Sequence, residues 1–287
     1  MIYLLLSILA STIIFVLFKL FDKYQVNTLQ AIVFNYIIAF CVGILAYNEP
    51  VNINTIVSTE WFYGAIFLGF LFIAIFNVMA ITSQRVGLSV ASVATKMSVI
   101  IPVFFGIYVY QESAGLFKII GIIAALLAVY MASAKPGTRI KNKSNYIFPI
   151  IIFLGSGIID TSIKYIETTY LTENGIPIFS ATIFGFAALI GMGTLLIRKL
   201  QGHFTFDPKS LIAGLALGVV NYASIYYLLK ALDHETLESS TIFTVNNVAI
   251  ILLTSLLGLL LFKEKLSTKN WIGISLAVIS ILLVTAI

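Results

Sequence analysis

Ten apolar stretches of membrane-spanning length make up most of this chain of 287 residues, and no other feature constrains its fold as strongly. The hydrocarbon core of a bilayer is about 30 Å thick, so a helix that crosses it needs roughly 20 predominantly apolar residues. The residues are 60% hydrophobic and only 10% charged, whereas a soluble domain is about 45–50% apolar and about 25% charged. The sequence therefore predicts an all-helical (all-α) integral membrane protein.

A polar segment divides the predicted spans into two groups of five. It covers residues 135–145, reads KPGTRIKNKSN and carries too much charge for the hydrocarbon core. We therefore predict a first five-helix repeat over 1–134, a basic cytoplasmic linker over 135–145 and a second five-helix repeat over 146–287. The ten predicted transmembrane helices cover residues 2–21, 28–46, 61–83, 89–109, 117–134, 146–166, 177–197, 210–232, 241–262 and 270–287.

The two groups of five spans share a pattern of small and acidic residues. Four positions of the first half recur in the second half at an offset of 152: Gly106, Glu112, Gly121 and Ala125 return as Gly258, Glu264, Gly273 and Ala277. Because each half holds an odd number of spans, the two halves insert with opposite orientations. Inverted repeats are a recurring architecture of secondary transporters, which bind substrate near the bilayer midplane. The pattern therefore predicts a transporter.

The lysines and arginines are distributed unequally between the loops. Of the 17 in the chain, 13 lie in the loops after the odd-numbered spans and 3 lie in the opposite loops. Since cytoplasmic loops carry the excess of basic residues, the linker faces the cytoplasm and both termini lie outside. The same bias explains the net charge of +5 without a nucleic-acid partner. We predict a multi-pass protein of a prokaryotic cell membrane, and the sequence leaves open whether it is a monomer or a homodimer.

The fourth span of each half ends in a glutamate, within motifs that are typical of one transporter family. In the first half, residues 89–92 read SVAS, Pro102 follows, and QE at 111–112 closes the span. The second half has SSTIFTVNN at 239–247 and closes with KE at 263–264. With ten helices as five plus five, the chain resembles the EamA-type family of the drug/metabolite transporter superfamily.

The resemblance implies a transporter whose central cavity is lined mostly by helices 1, 3, 4, 6, 8 and 9. It implies no particular substrate, since the family carries amino acids, sugars, nucleotide derivatives and other metabolites. The residues themselves argue against an enzyme, because no Gly-x-x-x-x-Gly-Lys-Ser/Thr phosphate loop, no His-Glu-x-x-His and no Gly-x-Ser-x-Gly occurs in the sequence. The sequence predicts no cofactor and no metal site.

Lys96 lies within an otherwise apolar span. A lysine inside the bilayer costs about 2.5–3.5 kcal/mol on insertion scales, and such residues tend to be functional. Ser92 and Ser89 precede it at helical spacing and form one polar stripe with it, which predicts that the stripe faces a cavity or a partner helix. We interpret Lys96 as the anchor for a substrate carboxylate or phosphate. The alternative is a lysine that extends to the interface or pairs with an acid for packing.

Asp160 is the other charge set well within a span, one helical turn before Lys164. An Asp–Lys pair at this spacing is typical of a local ion pair on a helix surface. The alternative is a site that faces the cavity and takes a substrate amine or a proton. If Lys96 and Asp160 share one cavity, a zwitterion such as an amino acid would suit both charges.

Amides and a tyrosine complete the candidate substrate-binding residues. Asn246 and Asn247 lie in the ninth span, the repeat-mate of the fourth, and Val248 is the position that matches Lys96. Such amides either bind substrate or join helices, and in the second role they contribute well under ~1 kcal/mol each. The full predicted set of substrate-binding residues is Lys96, Asn246, Asn247, Asn77, Asn221, Asp160, Ser92 and Tyr222.

Together these patterns predict a secondary transporter that moves a small polar metabolite, anionic or zwitterionic, by alternating access. Its expected partners are a small-molecule substrate and the lipid bilayer. One alternative is a non-transporting structural or assembly subunit with the same fold, in which Lys96 would be paired and inaccessible. The other is an intramembrane enzyme, which would need a histidine such as His234 within reach of Asp160.

Overall fold

The computed structural model describes eight stretches of the chain, and every regular element within them is a helix. The described residues are 1–85, 94–96, 98–111, 115–133, 147–171, 175–233, 237–262 and 268–285. In chain order the helices are α1 (Ile2–Tyr24), α2 (Thr28–Ala46), α3 (Ile53–Val57), α4 (Phe62–Arg85), α5 (Ile100–Val109), α6 (Leu116–Ser133), α7 (Ile147–Tyr170), α8 (Gly175–Leu200), α9 (Pro208–Leu232), α10 (Ser239–Phe262) and α11 (Thr268–Thr285). Residues 94–96 are also helical.

Six of the described helical segments are long and apolar enough to cross a membrane. Three further apolar helices are shorter, namely Ala94–Val109, Leu116–Ala128 and Trp271–Ser280. A chain that is all-helical over its described residues and rich in such segments is an integral membrane protein, as its composition predicts. The six long segments are Ile2–Tyr24, Thr28–Ala46, Phe62–Met79, Gly175–Leu200, Pro208–Leu232 and Thr241–Phe262.

Local sequence determines where several helices begin and end. Asn27 caps α2, since its side-chain oxygen accepts a hydrogen bond from the backbone N–H of Gln30 at 3.2 Å. Asp207 caps α9 in the same way, through the N–H of Lys209 at 3.1 Å. The α1 helix ends where Gln25 adopts the left-handed conformation, with a φ of 53°. These caps satisfy backbone groups that a helix leaves without internal partners.

Packing divides the chain into two compact units. Unit 1 combines Met1–Asn77 with Tyr165–Asp233, and unit 2 combines Val78–Lys164 with His234–Ile287. Each unit therefore takes helices from both halves of the sequence. The predicted halves, 1–134 and 146–287, are defined by a repeat in the sequence and not by packing. The compact units therefore do not test them, and they stay a prediction.

Unit 1 is built around α2, which packs against α8 and α9, while α1 packs against α9. Its interior includes a buried cluster of Ile14, Phe21, Ala31 and Leu217. Gly214 of α9 lies so close to α2 that an added Cβ would be 2.8 Å from the carbonyl oxygen of Ala31. The absence of a side chain at this position is therefore what lets the two helices approach.

One end of unit 1 is held by a hydrogen-bond network between the α1–α2 turn and the segment before α9. The Asp207 carboxylate accepts hydrogen bonds from the N–H of Asn27 at 3.0 Å and from the hydroxyl of Ser210 at 2.8 Å. Gln30 donates to the carbonyl oxygen of Thr205 at 2.6 Å and accepts from the N–H of Asp207 at 3.0 Å. The bonds to the carboxylate, first that from Asn27, lower the pKa of Asp207 below its ordinary value.

Unit 2 is built around α10, which packs against α5, α6 and α11, and α6 also packs against α11. The Ser280 hydroxyl of α11 donates to the carbonyl oxygen of Gly121 on α6 at 2.8 Å. Ala125, Ala128 and Val248 form a buried cluster between α6 and α10. The small residues of α6 thus allow close packing, and Val248 is the residue of α10 that packs against them.

Candidate functional site

Lys96 lies in the interior of unit 2, hydrogen-bonded to an asparagine from the other half of the sequence. Its ammonium donates to the side-chain oxygen of Asn247 at 2.9 Å, and the residue is only 8% exposed. The helical turn that carries Lys96 is positioned by Ala94, which packs against Ile152 of α7. The structure thus joins two of the predicted site residues, which are 151 positions apart in sequence.

Asp160 of α7 is a charged neighbour of this pair. Its carboxylate and the Lys96 ammonium interact electrostatically. Three residues before Asp160, Gly157 packs so closely against Ile101 that an added Cβ would collide with the Ile101 side chain. The α5 helix therefore lies directly on the part of α7 that carries the carboxylate. The sequence offers Lys164 as one partner of Asp160, and the structure adds Lys96.

Asn246 precedes Asn247 on α10 and places a second amide in the interior of unit 2. The residue is 5% exposed, and its side-chain oxygen has no hydrogen-bond partner among the described residues. Val248, the next residue along, packs against α6. Successive residues of an α-helix point about 100° apart, so Asn246 and Asn247 face different parts of the interior.

The grouping of Lys96, Asn247 and Asp160 is suited to hold an anion. An ammonium withdrawn from water needs polar or charged partners, because an uncompensated buried charge costs several kcal/mol. Here an amide oxygen and a nearby carboxylate supply them. A carboxylate or phosphate is a stronger acceptor than an amide and can replace the amide at the ammonium. Within the described residues, no group of three or more His, Cys, Asp or Glu side chains is placed to hold a metal ion.

The remaining predicted residues lie in unit 1 or outside the described residues. Asn77 donates to a carbonyl oxygen of its own helix at 2.7 Å. Asn221, 2% exposed, donates to the side-chain oxygen of Asn35 on α2 at 3.1 Å and so joins α9 to α2. Tyr222 is buried, and its hydroxyl has no hydrogen-bond partner among the described residues. Ser92 lies outside the described residues.

A buried ion pair in unit 2 is a feature that the sequence pattern does not reveal. From the sequence, Lys118 is predicted to lie in a loop or at a helix end. In the structure it is buried, with only 2% of the residue exposed. Lys118 of α6 forms an ion pair with Glu238, which directly precedes α10. Two features of the sequence could have indicated this ion pair. Glu238 lies at a helix N-terminus, where the helix dipole favours negative charge, and Lys118 lies inside an apolar helix.

Comparison with known proteins gives a family match in the second half of the chain. The model of the EamA-like transporter family matches residues 146–286. This half of the chain is EamA-like. The family is part of the drug/metabolite transporter superfamily, so the resemblance predicted from the sequence is confirmed. The matched region contains Asp160, Asn246 and Asn247, and the match makes a membrane transporter the expected function.

Two individual proteins are similar to this chain over nearly its whole length. An uncharacterised protein of Haemophilus influenzae is 27% identical over 274 residues, which are 93% of this chain and 92% of that protein. A solved crystal structure aligns with a TM-score of 0.74 at 12% identity and covers 99% of this chain and 96% of its own. At this identity, the structural likeness shows a shared fold and carries no information about substrate.

Proposed function

We propose that this protein is a secondary transporter that carries a small polar metabolite, anionic or zwitterionic, across a prokaryotic cell membrane by alternating access. The observation that carries the proposal is the buried hydrogen bond from Lys96 to Asn247, with the charge of Asp160 nearby. The family is one of membrane transporters, and this contact supplies a place where an anionic group can bind.

The energetics favour a functional role for Lys96 over a packing role. A lysine in the bilayer interior costs about 2.5–3.5 kcal/mol on insertion scales, whereas a hydrogen bond between membrane helices averages about 0.6 kcal/mol. The bond to Asn247 therefore offsets part of that cost, and the charge of Asp160 offsets a further part. An apolar residue at position 96 would pack the same helices without the penalty of a buried charge. A ligand that needs the charge is the better explanation of the lysine.

The way in which the predicted spans are distributed between the two units supports ten membrane helices arranged as two inverted repeats. Each predicted span of the first half is paired with the span five places later. The second, third, seventh and eighth spans lie wholly or mostly in unit 1, and the fourth, fifth, ninth and tenth lie in unit 2. The remaining pair is split, because the first span lies in unit 1 and most of the sixth span lies in unit 2. Repeat-mates thus share a unit in four pairs of five, as expected when two related halves fold together.

Ligand binding followed by transport tests the proposal. The purified protein is screened by thermal stabilisation against amino acids, organic acids, phosphates and amines, because a ligand at 100 times its Kd stabilises the folded state by about 2.7 kcal/mol. Each hit is then measured as uptake into proteoliposomes by wild type, Lys96→Met and the control Thr254→Val. Thr254 lies on the same helix as Asn247 and donates to the Ile251 carbonyl oxygen at 3.0 Å, so it controls for changes to the helix.

We expect carboxylates or phosphates among the hits, with uptake that persists in Thr254→Val and is lost in Lys96→Met. Ligand binding and uptake that survive in Lys96→Met would mean that the lysine is not part of the substrate site. A stable wild-type protein with neither hits nor uptake would instead support the non-transporting structural or assembly subunit.

A further inference from the structure

We propose that the buried ion pair between Lys118 and Glu238 is a gate, which holds one end of unit 2 closed and breaks once in each transport cycle. The inference rests on the proposed transport function, because alternating access requires a contact that closes the protein on one side and then releases it. It concerns a contact separate from the Lys96 site, and three features of α6 and α10 support it.

The first feature is the place of the ion pair on the two helices. Lys118 lies in the first turn of α6, and Glu238 directly precedes α10, so the pair joins the N-terminal ends of both helices. Further along, Ala125 and Ala128 of α6 pack against Val248 of α10. The two helices therefore run in the same direction. They have a charged contact at their ends and an apolar contact deeper in the unit.

The apolar contact is suited to act as a pivot for the opening of that end. Contacts between small apolar side chains lack the directional preference of hydrogen bonds, so the helices can change their angle there. Asn247, which binds Lys96, directly precedes Val248 and so lies at the level of the pivot. Glu238 lies nine residues before Asn247, about 13.5 Å away along the helix axis. The ends can therefore separate while Asn247 stays beside Lys96.

The second feature is the charge at the paired ends. A helix N-terminus carries about half a positive charge, which is unfavourable beside a lysine and favourable beside a glutamate. Two such ends and the Lys118 ammonium meet at the ion pair, where Glu238 supplies a negative charge. Removing the carboxylate therefore weakens the attraction between the ends, and removing the ammonium relieves their repulsion. The two members of the pair thus have unequal effects on closure.

The third feature is the unequal burial of the two side chains. The Lys118 side chain is 2% exposed, whereas that of Glu238 is 36% exposed. When the pair breaks, water and the N-terminus of α10 can stabilise the released carboxylate. An ion pair that is open to water on one side is also weaker than a fully enclosed pair. This pair can therefore break and form again during transport.

The reaction of an introduced cysteine with a water-soluble thiol reagent measures whether this end of unit 2 is open. Cys41, the one cysteine of the sequence, is first replaced by serine, and Thr241→Cys then places a thiol one helical turn after Glu238. Thr241 is 8% exposed, so this thiol should react slowly while the end is closed. Thr254→Cys, on the same helix beyond Asn247, is the control. Reaction rates with a charged methanethiosulfonate are measured on purified protein in lipid nanodiscs, where the reagent reaches both faces.

In the Thr241→Cys protein, Glu238→Gln should raise the reaction rate about tenfold, which corresponds to a shift of about 1.4 kcal/mol towards the open form. Lys118→Met should raise it by less than about threefold, because the carboxylate stays favourable at the helix N-terminus. The double variant with Lys118→Met and Glu238→Gln should react more slowly than Glu238→Gln alone, because the repulsion between the ends is relieved. Thr254→Cys should react at one rate in all of these proteins.

Uptake links the gate to transport. For a ligand found in the thermal screen, Glu238→Gln should lower the maximum rate of uptake about tenfold, because a carrier that stays open at one end completes fewer cycles. Its Kd should stay within about threefold of the wild-type value, since Lys96 and Asn247 are unchanged. A merely structural role for the ion pair would lower stability without raising the reactivity of Thr241→Cys.

If Glu238→Gln does not fold, Glu238→Asp replaces it. This change keeps the charge but shortens the side chain, and it should raise the rate about threefold. Unchanged rates in the folded variants, or equal increases at Thr241→Cys and Thr254→Cys, would overturn the gate. The proposed function would still stand if wild type takes up a ligand. A stable wild-type protein that takes up no ligand would overturn the proposed function, and this inference with it.

Discussion

The two units differ in the kinds of side chain that they bury. Among its described residues, unit 2 buries three lysines, Lys96, Lys118 and Lys164. Unit 1 buries no lysine or arginine among its described residues and instead buries aromatic rings, such as those of Tyr36 and Phe184, whose centroids are 6.0 Å apart. Unit 1 also buries Glu167, so the contrast lies in the buried ammonium groups of unit 2, which demand partners. The difference indicates that unit 1 is mainly a scaffold and that unit 2 carries the binding chemistry.

Hydrogen bonding alone does not distinguish the units. In unit 1, Asn221 pairs with Asn35, yet the Tyr222 and Ser180 hydroxyls are buried without partners among the described residues. In unit 2, the Asn246 oxygen is in the same situation. Neutral groups of this kind thus occur in both units. The buried positive charge is what sets unit 2 apart, and ligand binding should depend on that charge.

The largest effect should come from removing the charge of Lys96. Lys96→Met keeps an unbranched apolar side chain and removes the ammonium, so the Kd of the best ligand should rise about 100-fold. The matched change in unit 1, Asn221→Leu, removes the hydrogen bond to Asn35 and should change that Kd by less than about threefold. Titration calorimetry on both variants measures the contrast. Equal losses would mean that the buried charge does not distinguish the units.

The second effect concerns glycines at helix contacts. An added Cβ at Gly157 in unit 2 would collide with Ile101, and one at Gly214 in unit 1 would approach the α2 backbone. Overpacking costs about 1–3 kcal/mol, and the helix propensity of alanine offsets up to about 1 kcal/mol of it. Gly157→Ala and Gly214→Ala should both lower thermal stability. Only Gly157→Ala should also weaken ligand binding, because Asp160 lies three residues further along α7.

Thermal unfolding and ligand titration are measured on purified Gly157→Ala and on purified Gly214→Ala. A ligand affinity that falls equally in Gly214→Ala would place unit 1 at the site and contradict its role as a scaffold.

Helix positions can be read from the sequence because hydropathy largely decides them in a membrane. The predicted span 28–46 coincides with the helix Thr28–Ala46, and 61–83 differs by one or two residues at each end from Phe62–Arg85. The sequence does not reveal the short helix α3, because its five residues give no period to detect. It does not reveal the two compact units either, because these depend on contacts between distant segments.

The candidate residues stand out one by one in the sequence, but their contacts with each other do not. A lysine and two asparagines in apolar spans stand out by their chemistry. The repeat places Val248 opposite Lys96, whereas Asn247 makes the hydrogen bond. Neighbouring helix residues point about 100° apart, so a difference of one position changes which side chain faces the interior. The choice of Lys96 as a partner for Asp160 likewise depends on how the fourth and sixth spans pack, which no local pattern encodes.

A smaller effect should follow acidification, and it belongs to unit 1. Hydrogen bonds from Asn27 and Ser210 hold the pKa of Asp207 below its ordinary value of 3.8. Stability from this group is therefore present above the unfolded pKa and is lost as the pH falls through the lower pKa of the folded state. Thermal stability measured from neutral pH to below about pH 4 should fall more steeply in wild type than in Asp207→Asn. Parallel curves would mean that the charge of the Asp207 carboxylate does not stabilise this end of unit 1.

The smallest effects should come from two serines that make the same kind of bond in different units. Ser7 donates to the Ser224 carbonyl oxygen at 3.0 Å in unit 1. Ser280 donates to the Gly121 carbonyl oxygen at 2.8 Å in unit 2. Hydrogen bonds between membrane helices average about 0.6 kcal/mol, so Ser7→Ala and Ser280→Ala should each lower the free energy of unfolding by roughly that amount.

Because neither serine is charged, neither change should alter the Kd of the ligand, and calorimetry on both variants measures this. A loss of affinity in Ser280→Ala alone would mean that a small shift between α6 and α11 is transmitted through α10 to Asn247. Unit 2 would then differ from unit 1 in the coupling of its packing to the site as well as in its buried charge.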